Sequence, residues 1–186
     1  GQRGASGSGV SEEEGHVLLA EAHEGGVLET EEREMILGVM RFSDRTARAL
    51  MTPRHEVEML PLDATGAEAV AAIRKVSRPR MPIANAEGEV VGIVLLTDAF
   101  QAVSRRETLE LKALVRAVPV VSDRADALDV LEILHKSEHH LALVYDEYGH
   151  FEGIITTGDV LEAITGAVAA SDEDEPAIVT REDGSR

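Results

Sequence analysis

The residues best suited to chemistry stand late in the sequence, in Gly153-Ile154-Ile155-Thr156-Thr157-Gly158-Asp159. Gly153 lets a strand start close to its neighbour, and two apolar residues anchor it. A threonine hydroxyl at the strand's end and a carboxylate three residues on can then converge on one point. A hydroxyl donor and a carboxylate acceptor so placed suit the vicinal hydroxyls of a ribose. Asp159 also stands where it could cap a helix over Val160 to Ile164, and the motif alone leaves both readings open. An earlier stretch, Gly92-Ile93-Val94-Leu95-Leu96-Thr97-Asp98, keeps the aspartate but has Leu95 at the threonine position. There the carboxylate reads as a helix cap and not as a ligand.

A second group is basic. Ser77-Arg78-Pro79-Arg80 lies between a helix and a strand, and guanidinium forks match phosphate oxygens. Ion pairing with surface carboxylates is the competing explanation. Glu138-His139-His140 takes the corresponding place later on; neighbours on one strand point to opposite faces, which argues against a metal held by the two histidines. Catalytic signatures are absent: there is no cysteine, no HExxH and no Walker loop. No serine sits in a nucleophile elbow. The clusters Glu12 to Glu14 and Glu31 to Glu34 read as solvated helix faces.

The elements that must position these residues form a repeat. One copy runs from about Ala49 to Val103 and the other from about Leu114 to Thr165. Each opens with an extended stretch containing proline, Met51-Thr52-Pro53 or Val118-Pro119-Val120. An aspartate turn and an amphipathic helix follow, Ala67 to Val76 or Ala127 to Lys136. Two apolar strands joined by a glycine turn come next, Met81 to Ala84 with Val90 to Leu95, and Leu141 to Val144 with Phe151 to Thr156. A helix opened by Asp98 or Asp159 closes each copy. Ser77 and Ser137 are 137 − 77 = 60 apart, as are Arg80 and His140, whereas Asp98 and Asp159 are 159 − 98 = 61 apart. That change reads as one residue added in the second turn, where insertion is cheap. Two such β-α-β-β-α units are expected to pack face to face, since neither buries its sheet alone.

Ahead of the repeats, Ser11-Glu12-Glu13-Glu14 is a capping box opening an acidic helix. Thr30 heads a second helix, on which Met35, Ile36, Val39 and Met40 make an apolar stripe. The expected organisation is a disordered stretch or linker over 1–10 and acidic helices over 11–44. The first repeat follows over 45–108, the second over 109–168, and an acidic linker toward a further C-terminal domain over 169–186.

Composition narrows the function. Apolar residues reach 44% with only 3% aromatic, so the core must be aliphatic. The charge balance of 18 basic against 35 acidic residues gives 18 − 35 = −17, which repels nucleic acid at long range. Any anionic ligand must be held by a local group of donors. No apolar run is long enough to span a bilayer and no signal peptide is visible.

Taken together, these residues resemble tandem CBS domains, a family named after cystathionine β-synthase. Met51-Thr52-Pro53-Arg54, Val144 through Gly149, and Gly153 through Asp159 followed by Val160-Leu161-Glu162 look like its CorC/HlyC branch. That branch is haemolysin-like and related to the CNNM magnesium transporters. Gly26-Val27-Leu28-Glu29 onward and Ile178 through Ser185 look like that branch's flanking segments. The resemblance implies an α+β fold: a tandem CBS pair preceded by N-terminal helices. It implies a regulatory module, not an enzyme, that binds ATP or another adenine nucleotide, with Mg²⁺ through the nucleotide. It also implies a homodimer on the cytoplasmic side of the cell membrane, attached to a transmembrane domain for magnesium or cobalt efflux, with no nucleic-acid partner. Carried over by position, ribose contacts fall on Thr156 and Asp159, and Ile154 lies near the adenine. Phosphate contacts fall on Thr52 and Arg80, with Arg78 and Pro79 lining the same cleft, and no residue is a dedicated metal ligand. Some relatives carry an aromatic residue near Arg78 and a hydroxyl at Pro79; this chain lacks both, and with them a stacking surface and a donor. The alternative is a structural dimerisation domain with no working ligand site.

Overall fold

The computed structural model describes residues 30–174, with side chains to residue 167. The Gly/Ser-rich start, the acidic helix expected after Ser11 and the stretch from Ile178 lie outside the described residues. The chain divides into two units, one of them Thr46–Val160 and the other holding the flanking segments.

In the flanking unit, α1 spans Thr30–Ser43, with Glu31 and Glu32 at its positive end and Arg41 in its last turn, both favourable to the helix dipole. Ser43 Oγ donates to the Met40 carbonyl at 2.7 Å and satisfies one of the terminal carbonyls. The helical spacing is as expected, but Met35, Ile36 and Val39 are exposed, while Gly38 and Phe42 are buried. The stripe read from the sequence is thus an open face.

The larger unit begins with α2 (Ala47–Leu50), β1 (Thr52–Pro53) and a 3-10 turn over Arg54–Glu56. It continues through β2 (Leu60–Pro61), α3 (Gly66–Arg74), β3 (Arg80–Ala84), β4 (Val90–Leu95) and α4 (Leu96–Ser104). After a 3-10 turn at Leu111–Leu114 come β5 (Val120–Ser122), α5 (Ala127–Lys136), β6 (Leu141–Tyr145) and β7 (Phe151–Thr156). The final helix, α6, spans Thr157–Asp174. Two sheets result, in the orders β2-β3-β4 and β1-β7-β6-β5.

The central strands β3 and β6 are apolar on both faces because both of their faces are covered. In the first sheet Met81, Ile83 and Val94 pack with Ala69 and Ile73 of α3 and Ala99 of α4. Val90 and Ile93 instead join Leu141, Leu143, Phe151 and Ile154 in a core that draws on both copies. The face-to-face packing expected of the repeats rests on that shared core. The β-hairpin turns end at Gly88 and Gly149, whose φ values of 82° and 81° lie where a side chain is strained.

The repeat register differs from the one read from the sequence. Arg80 pairs with Leu95 and Leu141 pairs with Thr156, so Arg80 corresponds to Leu141, not His140. Leu60 pairs with Ile83 and Val121 with Val144, which carries the 61-residue spacing (121 − 60 = 61) back to β2 and β5. The hairpin turns therefore match without an insertion. The real change of spacing lies earlier. Thr52 pairs with Ile154, and Arg116 bridges Ile93, so Thr52 corresponds to Arg116, 116 − 52 = 64 apart. The three extra residues of the first copy coincide with the 3-10 turn over Arg54–Glu56. The serines at 77 and 137 had suggested another alignment because linkers tolerate shifts that paired strands do not.

This register exposes an exchange. Strand β1, although it opens the first copy, completes the sheet of the second; Arg116, ahead of the second copy, bonds in both directions with Ile93 of the first, at 2.8 and 3.0 Å. A side chain at Gly153 would overlap the Thr52 carbonyl, and one at Gly92 would overlap that of Arg116. Both glycines are required by the same close backbone approach.

Candidate functional site

Four of the seven residues singled out from the sequence meet at the β1–β7 edge. Thr52 and Ile154 are register partners and both are buried. Thr156 ends β7, and Asp159 lies in the first turn of α6. Thr52 Oγ1 donates to Asp159 Oδ1 at 3.2 Å, a bond from the first copy to the second. The Thr156 amide donates to Asp159 Oδ2 at 2.9 Å, and the Asp159 amide donates to Thr156 Oγ1 at 3.2 Å. Threonine and aspartate thus satisfy each other's backbone donors in a capping box.

Both readings of Asp159 are therefore compatible. A carboxylate offers about four lone-pair sites, and two are taken here, one on each oxygen. The remaining pair can accept from the two hydroxyls of a ribose without breaking the cap. Asp159 and Thr156 are half-buried, and Ile154 supplies an apolar floor beside them.

Arg80 approaches from the first copy. Its guanidinium donates to the carbonyl of His139, in the linker that leads into β6. That linker adjoins the motif, because the His140 carbonyl accepts from the Thr157 amide at 3.2 Å. His140 itself holds φ 51°, with its ring Nδ1 2.8 Å from the Leu134 carbonyl. Left-handed backbone is uncommon for a residue with a side chain, and the ring contact helps to hold the linker's bend.

Arg78 and Pro79 are exposed in the preceding linker. That linker is tethered by Glu58, whose carboxylate accepts from the Ser77 amide at 3.2 Å and from Ser77 Oγ at 2.9 Å. The amide bond from Ser77, its hydroxyl bond and the charge of Arg78 together hold the Glu58 carboxyl below its ordinary pKa. Sequence reasoning missed Glu58, which is 77 − 58 = 19 residues from its partner and carries no motif. Among the described residues, no group of three or more His, Asp or Glu side chains is arranged to hold a metal ion. No described helix is long and apolar enough to cross a membrane.

The counterpart of this site in the first copy is built differently. Helix α4 has no side-chain cap. Asp98, expected to cap it, instead receives Arg116 on both oxygens, from Nε at 2.7 Å and from a terminal nitrogen at 3.3 Å. Leu95 lacks the hydroxyl that completes the box at Thr156. The Asp98 carboxylate is engaged by a cation, where that of Asp159 accepts from a hydroxyl and an amide. A cleft of about 330 Å³ lies on this side, bordered by Asp98, Gln101, Arg105 and Arg116.

A family model for the CBS domain matches residues 47–105 and 110–166. Over 180 residues, covering 96% of this chain and 40% of the relative, the chain is 34% identical to the UPF0053 protein sll0260 of Synechocystis sp.. It is 28% identical to Hemolysin C of Brachyspira hyodysenteriae over 156 residues, covering 83% of this chain and 58% of that one. The chain spans less than half the length of sll0260 and of several other curated relatives. Among solved structures, the CBS domain of the bacterial CNNM/CorC family Mg²⁺ transporter is similar with a TM-score of 0.71 and 30% identity, covering 84% of this chain and 97% of the other. The same kind of domain in complex with ATP gives a TM-score of 0.66 at 27% identity, covering 73% and 97%.

Proposed function

The chain belongs to the CBS-domain family as a tandem pair of the haemolysin-like CNNM/CorC type, and from that premise we propose that it is a nucleotide-sensing regulatory module. It binds ATP, with Mg²⁺ carried by the phosphates, at the β1–β7 edge where Thr52, Ile154, Thr156 and Asp159 converge. The observation that carries this reading is the Asp159 carboxylate, fixed from both copies yet with acceptor capacity to spare. Arg80 supplies the cation for the phosphates on exchanging the His139 carbonyl for them, and Arg78 adds positive charge at the exposed rim. The His139 carbonyl is a neutral acceptor, whereas a phosphate puts negative charge and a second oxygen opposite the guanidinium fork, which favours the exchange. The neighbour solved with ATP supports the choice of nucleotide.

The module acts on the cytoplasmic side of a membrane, as a homodimer joined to a transmembrane domain that exports magnesium or cobalt. Support comes from the transporter named among the similar structures and from the larger size of the relatives. Phe100, on the helix that closes the first copy, is an exposed apolar position, which suits a second chain. ATP can shift such an assembly only by its difference in affinity between two conformations.

Thermal melting tests the proposal. A ligand that binds only the folded chain raises its stability by RT ln(1 + [L]/Kd), so ATP at about 100 times Kd adds about 2.7 kcal/mol. The melting temperature is expected to rise with ATP and to stay put with ATP on an Asp159→Ala chain. A dimer whose melting temperature ignores ATP, ADP and AMP alike would instead mark a structural dimerisation domain.

A further inference from the structure

We propose that Arg116 is the residue that decides which of the two equivalent clefts takes nucleotide: it closes the first-copy cleft by giving its own guanidinium to Asp98. This inference rests on the nucleotide reading above and adds the reason for its one-sidedness. The strand register makes the comparison residue by residue. Thr52 corresponds to Arg116, Thr156 to Leu95, Asp159 to Asp98 and Arg80 to Leu141. At the second-copy cleft a neutral hydroxyl approaches the aspartate with one bond. At the first-copy cleft a guanidinium takes both carboxylate oxygens, and the Asp98 side chain is only 18% exposed.

Ribose hydroxyls are neutral donors and would have to displace a bidentate, charge-assisted pair, which is the stronger interaction. Leu95 offers no hydroxyl to help them, and Leu141 puts a buried aliphatic side chain where the phosphates would need a cation. Space is not what excludes a ligand, since the adjoining cleft of about 330 Å³ lies within the range of small-molecule sites. The exclusion is chemical.

Equilibrium dialysis with labelled ATP and Mg²⁺ on the whole chain tests this by counting nucleotides bound. The unmodified chain is expected to bind one per chain, and Asp98→Asn to change its affinity less than twofold. The paired change Leu95→Thr with Arg116→Thr is expected to create a second, weaker site that Asp98→Asn then removes. A loss of tenfold or more in affinity from Asp98→Asn alone would overturn the proposal. So would a paired variant with native circular dichroism that gains no site at millimolar ATP. If the paired variant does not fold, the Asp98→Asn arm decides. If the unmodified chain binds nothing, the nucleotide reading of the Thr52–Asp159 cleft fails by itself. The closure by Arg116 then stands or falls on whether the paired variant gains binding.

Discussion

Asp159 carries two duties on one carboxylate, and the two separate by substitution. Replacing a capping aspartate by alanine costs about 0.5 to 2 kcal/mol of stability. Losing hydrogen bonds to a charged group costs about 1.5 to 3 kcal/mol, roughly 10- to 100-fold or more in ligand affinity. Thr52→Val removes the hydroxyl that bonds Asp159 while keeping the shape. A small stability loss of about 1 kcal/mol is expected in chemical denaturation, because Thr52 is buried. The threonine–aspartate spacing was legible because both ends lie within one strand-to-helix junction. Arg116 was not: its bond to Asp98 spans 116 − 98 = 18 residues and depends on which sheet the segment joins.

One titration also belongs to this scale. Asp146 accepts from the His150 amide at 2.8 Å, the His150 ring at 3.1 Å and the Tyr148 amide at 2.9 Å. Led by the His150 amide, these bonds hold its carboxyl below the ordinary value. A carboxyl lowered in the folded state adds stability that is complete above its unfolded pKa of about 4 and is lost as pH falls through the lower folded value. Asp146→Asn should therefore flatten the acid side of a plot of melting temperature against pH and leave the neutral side little changed in slope. An unchanged acid limb would contradict the turn's role.

At the scale of elements, the apolar runs of β3, β4, β6 and β7 announced themselves, as did both amphipathic helices α3 and α5. Their periodicity is imposed by burial, so it is written into residue type. Strand β1 has two residues and no period to read, and its place in the other copy's sheet follows only from three-dimensional packing. The same limitation misplaced the insertion: linker serines looked alike, whereas strand pairing fixes the register. Gly153→Ala tests the exchanged strand. Its methyl group would meet the Thr52 carbonyl, and overpacking of this kind costs about 1 to 3 kcal/mol. The variant should melt lower and also lose nucleotide affinity, because β1 carries Thr52. Gly92→Ala, which would meet the Arg116 carbonyl, should lower stability comparably while leaving affinity nearly unchanged. Equal losses of affinity in both would argue against a single working cleft.

For the whole molecule, duplication supplies the scaffold and the departures from symmetry supply the function. Two sheets share a core through Ile93 and Ile154, equivalent residues of the two copies. Each copy receives a strand segment from ahead of the other, so a ligand gripping Thr52 and Asp159 is held by both. The −17 charge of the chain opposes any polyanion, which makes Arg80 the local exception that a phosphate requires. The most direct measurement is calorimetric titration of ATP with Mg²⁺ into the unmodified chain and into Arg80→Ala and Asp159→Ala. The account predicts one saturable binding event per chain, weakened at least tenfold by either change while both variants remain folded. Absence of heat from ATP, ADP and AMP at millimolar concentration, or full-strength binding by Asp159→Ala, would contradict it.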